Sequence, residues 1–170
     1  MNNNYTDKVY YNLIEDIIDN DEFKKIDNFA HHGTTRLTHS CRVSYYSYII
    51  SKILKLNYEE TARAGLLHDF FLVENKTKKD RVDCLFAHSK YSLENANSLF
   101  NLSDREKDII YTHMFPLNVN RVPKYMESWI VSMVDKLVAI YELSTNYKTK
   151  FVVRYQDLII FTLIFMGGLF

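Results

Sequence analysis

Glycine and proline are scarce in this chain, at 4 and 2 residues of 170, which excludes the many tight turns that β-sandwiches and β-barrels need. Long helices with brief connections remain, so a single all-α domain is predicted. Neither charge is in excess: 21 basic residues face 21 acidic ones. Without a broad positive field, duplex nucleic acid is not an expected partner. The two cysteines, Cys41 and Cys84, lack CxxC spacing, which speaks against a metal ribbon or redox pair and predicts two buried free thiols. No secretory leader pattern opens the chain, so a cytoplasmic location is expected. The apolar run 158–170 is shorter than the ~20 residues that cross a bilayer. It is expected to pack as a C-terminal helix on the same domain, with a homodimer seam or a membrane-surface contact as the other roles open to it.

Hydrophobic periodicity supplies the helices. Val9, Leu13, Ile14, Ile17 and Ile18 predict a helix over 5–20, with a shorter helical piece over 21–29. The stretch 31–35 breaks the pattern. A long helix is expected over 36–55, with Val43, Tyr46, Ile50 and Ile53 on the inward stripe that carries His39. Asn57 and Glu60 have capping-box spacing and start the next helix near Tyr58, with His68 and Asp69 close to its end. The charged stretch 74–83 reads as a loop, and His88 as the residue just before a helix over 89–100. Ser103 and Glu106 form a second capping box, opening a helix that carries Ile109, Ile110 and His113 and stops at Pro116. Pro123 suits a first helical position, and the helix running on to 144 is apolar nearly all round, the pattern of a central buried helix. Its middle holds Asp135.

Ligand-type side chains therefore lie in apolar settings. His68 and Asp69 follow Leu66-Leu67 and precede Phe70-Phe71, and Asp135 sits among Ile130, Val131, Val134 and Val138. A lone buried carboxylate costs several kcal/mol; a divalent cation removes most of that cost by supplying the missing charge and taking up lone pairs. Adjacent helical residues differ by about 100° in direction, so His68 and Asp69 reach one ion only across the edge between their faces. Further ligands must come from other helices, and His39 and Asp135 are the candidates. Adding His88 and His113 gives six N or O ligands, with Asp69 able to bridge two ions. Two metals a few ångström apart suit phosphoryl chemistry, because one generates hydroxide near neutral pH while both hold developing charge. Taken singly, each histidine reads better as a hydrogen-bonded core residue, and Asp135 as half of a salt bridge to Lys136 or Arg63. The six in this order point to a metal centre.

The order His39, His68-Asp69, Asp135, with Arg36 three residues before His39, resembles the HD superfamily of metal-dependent phosphohydrolases. The resemblance covers roughly residues 30 to 143. It implies an HD-type helical bundle in which His39, His68, Asp69 and Asp135 bind one divalent ion. His88 and His113 occupy the interval where members with a second metal carry two more histidines, so the chain is similar to the dinuclear branch, which includes bacterial hydrolases of dinucleoside polyphosphates. One or two ions of iron, manganese, magnesium, cobalt or nickel are implied. The implied substrate is small, phosphorylated and nucleotide-like, cleaved at a phosphomonoester, phosphodiester or phosphoanhydride bond; a nucleotide-sensing module of weak catalytic power is the alternative. The chain departs from family patterns at Leu72, where many relatives place a phosphate-handling lysine, and across 70–73, where guanosine tetraphosphate hydrolases carry an acidic pair. The Gly-Tyr-Pro signature of cyclic dinucleotide hydrolases is also absent. On this reading 1–29 is an N-terminal helical extension, 30–145 the metal-binding domain and 146–170 the C-terminal helix.

Around the centre, Asp69, Arg36 and Lys136 are the expected catalytic set. Arg36, one helical turn before His39, is placed to grip a phosphate, with a salt bridge as its other reading. Lys136 either contacts phosphate or balances a carboxylate. His31 and His32 are candidate proton donors, and Lys76, Lys78, Lys79 and Arg81 form a basic stretch that either closes over an anion or is simply solvated. Most of the 13 tyrosines and 11 phenylalanines must be core, with Tyr45, Tyr46, Tyr48, Phe70 and Phe71 the candidates for stacking on a base.

Overall fold

The computed structural model describes residues 7–31, 34–72 and 78–146, and among them the architecture is all-α apart from one short ribbon. Helix α1 (Lys8–Ile18) starts where the Asp7 side chain accepts from the amides of Val9 and Tyr10, and it buries Tyr10, Ile14 and Ile17. Helix α2 (Asp21–Lys24), capped by Asn20, runs into a 3-10 turn (Lys25–Asn28), and together they bury Phe23 and Ile26. The break that follows contains a feature that periodicity does not reveal, an antiparallel pair of two-residue strands, β1 (Ala30–His31) and β2 (Thr34–Thr35). It delivers the chain to α3 (Arg36–Ile53), whose Thr35 cap accepts from the Thr38 amide.

The inward face of α3 differs from the expected apolar stripe. Tyr46 and Ile53 are exposed, while Ser40, Ser44, Ser47 and Ser51 are fully buried beside His39 and Val43. These serines recur at spacings of four and three, so they share one face, and their small size lets α4 (Tyr58–Leu67) come close. Gly65 of α4 marks a close approach, since a Cβ there would lie 3.0 Å from the Ser44 Cα. The Ser44 hydroxyl donates to the Ala62 carbonyl at 2.6 Å and accepts from the Tyr10 hydroxyl at 2.9 Å, tying α1, α3 and α4 together. The N-terminal helices thus share the main core; Tyr10, Ile14 and Ile17 pack in the same cluster as Leu66, Leu67 and Val131.

The Asn57 cap forms with its side chain accepting from the Glu60 amide. The expected return bond from Glu60 does not: its carboxylate pairs with Arg105, and the Asn57 amide donates instead to Glu127. The second box is complete, Ser103 and Glu106 bonding reciprocally at the start of α6 (Asp104–Thr112). Two expected boundaries move. Helix α5 spans Lys78–Leu99, so 78–83 is helical rather than loop and His88 lies inside the helix rather than ahead of it; charged residues there hide the apolar period. Helix α7 (Met126–Asn146) begins three residues after Pro123, because Asp108 of α6 holds the approach by accepting from the Lys124 amide and the Ser128 hydroxyl.

Helix α3 packs on α4 and α7, α4 on α1 and α6, and α6 on α5 and α7. Helix α7 is not buried all round as its composition suggests: Ile130, Val131, Val134 and Val138 face the core, whereas Met126, Met133 and Ile140 face solvent. No helix among the described residues is long and apolar enough to cross a membrane. The run 158–170, His32 and Lys76 lie outside the described residues, as do the side chains of His31, Lys78, Lys79, Arg81 and Cys84. Cys41 is a free thiol, and burial pushes it up to about 12.

The α3–α4 contact sets the distance between His39 and His68, so Gly65→Ala is an informative lesion. The added methyl meets main chain that cannot rotate away, and the expected loss is about 1–3 kcal/mol. Urea denaturation of the two proteins measures it; equal midpoints contradict the close approach.

Candidate metal centre

The six candidate ligands are delivered by helix interiors, helix C-termini and one turn. His39 projects inward from the first turns of α3 and is fully buried. His68 is the C-terminal cap of α4, and Asp69 follows in a turn held by Phe70 N–H to Leu67 O and Phe71 N–H to Asp69 O. His88 comes from α5, His113 caps the C-terminus of α6, and Asp135 lies midway along α7.

The six converge as two triads. His39, His68 and Asp135 form one, Asp69, His88 and His113 the other, and within each triad the ligand atoms all lie within 4.8 Å of one another. In the first, His39 Nε2 is 3.1 Å and His68 Nε2 3.7 Å from Asp135 Oδ1. In the second, His88 Nε2 is 3.5 Å and His113 Nε2 3.7 Å from Asp69 Oδ1, and the two nitrogens are 2.9 Å apart. Asp69 links the triads, because its Oδ2 lies 3.8 Å from His68 Nε2 while its Oδ1 faces the other pair. Two nitrogens each ~2.1 Å from one ion at a right angle are about 3 Å apart, so the spacing suits shared coordination.

Ring orientation follows from bonds on the far side of each imidazole. His68 Nδ1 donates to the Gly65 carbonyl at 2.8 Å and His113 Nδ1 to the Ile110 carbonyl at 2.7 Å, each bond reaching back three residues. A proton on Nδ1 leaves the Nε2 lone pair directed inward, the tautomer a metal needs. His68 Nε2 is buried with no hydrogen-bond partner. Such an orphaned acceptor is costly in a packed core, and a cation satisfies it. Burial, with the neighbouring His68 and His88 rings, pushes His113 down to about 3, so it is neutral and ready to ligate.

His39 is held differently. Its Nδ1 meets Glu142 Oε2 at 2.8 Å, and the other Glu142 oxygen accepts from Arg42 at 2.6 Å. Burial opposes a charged ring, but the bonds to Asp135 and Glu142 outweigh it and push His39 up to about 10. The proton on its Nε2 side lies where an ion would sit, so ion and proton compete. Despite burial, the His39 bond and the nearby His68 ring hold Asp135 well below the usual carboxylate range, and the His39 bond lowers Glu142. Sequence reasoning missed Glu142; the available signal was a carboxylate seven residues beyond Asp135, two turns along the same face of α7.

Of the two roles open to each, Arg36 and Lys136 are here engaged in contacts within the protein. The Arg36 guanidinium lies between the Phe71 and Phe29 rings, 3.6 and 4.7 Å from their centroids, and donates to the Phe71 carbonyl. The turn after Asp69 aims that carbonyl at α3, so Arg36 braces the wall of the site. Lys136 donates to the His113 carbonyl at 2.8 Å and the Ser132 carbonyl at 2.9 Å, with its ammonium 3.8 Å from Asp135 Oδ2. Desolvation lowers its pKa, and it balances the carboxylate while fixing the His113 end of α6. Arg63 does not pair with Asp135 but with Asp16 and Glu106. The stacking candidates are largely core: Tyr48 is fully buried, Phe70 packs on Phe23, and Phe71 lies 5.2 Å from the His88 ring. Solvent reaches the centre mainly at Asp135 and His88, whose side chains are 13% and 10% exposed against 4% or less for the other four ligands. A separate cavity of about 310 Å³, lined by Leu93, Lys107, Asp108 and Tyr125 among others, contains none of the six.

A family model described as HD domain matches residues 36–140. The chain belongs to the HD domain family. No curated protein and no solved structure matches it. HD domains bind divalent metals, and the paired His/Asp groups of this HD domain fit such ions in donor type, spacing and the unsatisfied His68 nitrogen. Glu142 lies just past the matched span.

Bonds beyond the ligands commonly change metal affinity by about 10–100-fold when removed. Glu142→Ala is therefore expected to weaken cobalt(II) binding at the His39 triad by that order while the His88–His113 triad still loads, with Glu142→Gln intermediate because its amide oxygen can accept the same bond. Titration followed by cobalt absorption checks this; an unchanged affinity in the alanine variant contradicts the assigned role.

Proposed function

We propose that this HD domain is a dinuclear metal-dependent phosphohydrolase that cleaves a small, nucleotide-like phosphate ester or anhydride. One observation carries the reading: two three-residue groups lie side by side, Asp69 belonging to one of them through Oδ1 while its Oδ2 lies 3.8 Å from His68 of the other. When bound, a pair of divalent ions lowers the pKa of coordinated water and neutralises charge on phosphoryl oxygens. His39, His68 and Asp135 would hold one ion, His88 and His113 the other, with Asp69 between them.

The chain's own contribution is placement and shielding. Asp69 is fixed by the turn that follows α4, and the two histidines bonded to carbonyls cannot rotate without losing those bonds. Arg36 and Phe71 form one wall, and among the described residues the edge of the centre that solvent touches most is formed by Asp135 and His88. Lys136 offsets the negative charge of Asp135 and keeps a cation beside the entry, where long-range attraction favours a phosphorylated ligand. The engagement of Arg36 and Lys136 in structural bonds supports the second reading, a nucleotide-binding module that turns over slowly or not at all.

Elemental analysis of the purified protein is expected to return two ions per chain and His113→Ala about one, with unchanged circular dichroism. The loaded protein is expected to release phosphate or nucleotide from a panel of nucleoside phosphates and dinucleoside polyphosphates, and Asp69→Asn to abolish release. Two ions with nucleotide binding but no product identify the sensing module; one ion in the wild type removes His88 and His113 from the ligand set.

A further inference from the structure

The outer face of α7 carries an apolar stripe that the rest of the described fold leaves largely open, with Trp129 packed edge-on against the Phe115 ring at its side. Met126, Trp129, Met133, Ile140 and Leu143 are 60%, 37%, 46%, 60% and 42% exposed. Their spacings of three, four, seven and three residues put them within about 100° of one another on the helix. The remaining register position is Lys136, whose ammonium turns inward to the His113 and Ser132 carbonyls. This is the spacing of a helix–helix seam. From Met126 to Leu143 the strip runs about 25 Å at 1.5 Å per residue, with Lys136 interrupting it between Met133 and Ile140, and exposed apolar side chains gathered on one helix face mark an interaction site. Composition alone places α7 in the middle of a bundle; the structure covers it on one side.

The same chain supplies an apolar segment of matching size. Residues 158–170 are apolar except for Thr162, Gly167 and Gly168, and as a helix they would reach about 20 Å. Helix α7 is described as far as Asn146, residues 147–157 separate that point from the apolar run, and antiparallel neighbours need only about 2–8 residues to join. A tether this short gives an effective concentration in the millimolar range, far above that of a second copy at ordinary protein concentrations. We propose that residues 158–170 dock back along the outer face of α7, covering Trp129. The inference is independent of the metal chemistry.

Trp129 is the single tryptophan of the chain and lies on the stripe, so its fluorescence reads the contact in the intact protein. The full chain is expected to show slow acrylamide quenching that does not change with protein concentration. Leu163→Asp combined with Ile164→Asp is expected to shift the emission to longer wavelength and raise the quenching constant several-fold, with helix content and metal content unchanged. Equal quenching in both proteins overturns the proposal. Protection that appears only as concentration rises assigns the stripe to a second copy, and protection that appears only with phosphatidylcholine–phosphatidylglycerol vesicles assigns it to lipid; either overturns the intramolecular contact. Should the double variant aggregate, a photo-crosslinking residue at position 133 of the full chain decides. An intrachain link to 158–170 supports the docking, and an interchain link or none overturns it.

Discussion

Two carboxylates, Asp69 and Asp135, are held among four imidazoles in the interior of the bundle, and the rest of the structure is arranged around that fact. Carboxylates in such surroundings are strongly disfavoured unless opposite charge and hydrogen-bond donors meet them. Asp135 is met by His39 and His68, with Lys136 nearby. His39 is met in turn by Glu142, and Glu142 by Arg42. A chain of alternating charge thus runs from the centre to the surface along α3 and α7, leaving each buried group at least one partner of opposite sign. A divalent cation extends the same logic to His68 Nε2, which the protein leaves without a hydrogen-bond partner.

The backbone decides where that charge can gather. Two of the four histidines stand at helix C-termini, His68 after α4 and His113 after α6, and each turns its Nδ1 back onto a carbonyl of the last turn. One bond thereby satisfies a terminal carbonyl that the helix leaves over and sets the tautomer of a ligand. The serine face of α3 and Gly65 of α4 bring those two helices close enough for His39 and His68 to share Asp135. A bulkier α3 face would separate the first triad even with every ligand present.

Much of this was legible before any coordinates. The ligand order His39, His68-Asp69, His88, His113, Asp135 survives as two triads, and the all-α class follows from the shortage of glycine and proline. The less legible features share one cause, which is that they depend on partners distant in sequence. Glu60 has the spacing of a capping box but is drawn to Arg105, and Glu127 of α7 reaches the Asn57 amide in its place. The start of α5 is hidden because its charged residues, Lys78 to Asp83, carry no apolar period. Arg36 is one turn from His39, yet two aromatic rings and a carbonyl from other segments claim its guanidinium. Glu142 is invisible as a partner of His39 because nothing local connects positions 39 and 142.

Residue types and their order alone determined that the chain is helical, that it belongs with HD-type ligand sets, and that six polar side chains must find company inside an apolar interior. Those properties are local or compositional, set by propensity, periodicity and the cost of burying charge. Only the tertiary structure decided how the six divide into two groups around Asp69, that Glu142 orients His39, that Arg36 and Lys136 brace the site, and that α7 has an open side. Each of these depends on distances between helices, and such distances come from how side chains of different segments pack, which no single stretch of sequence contains.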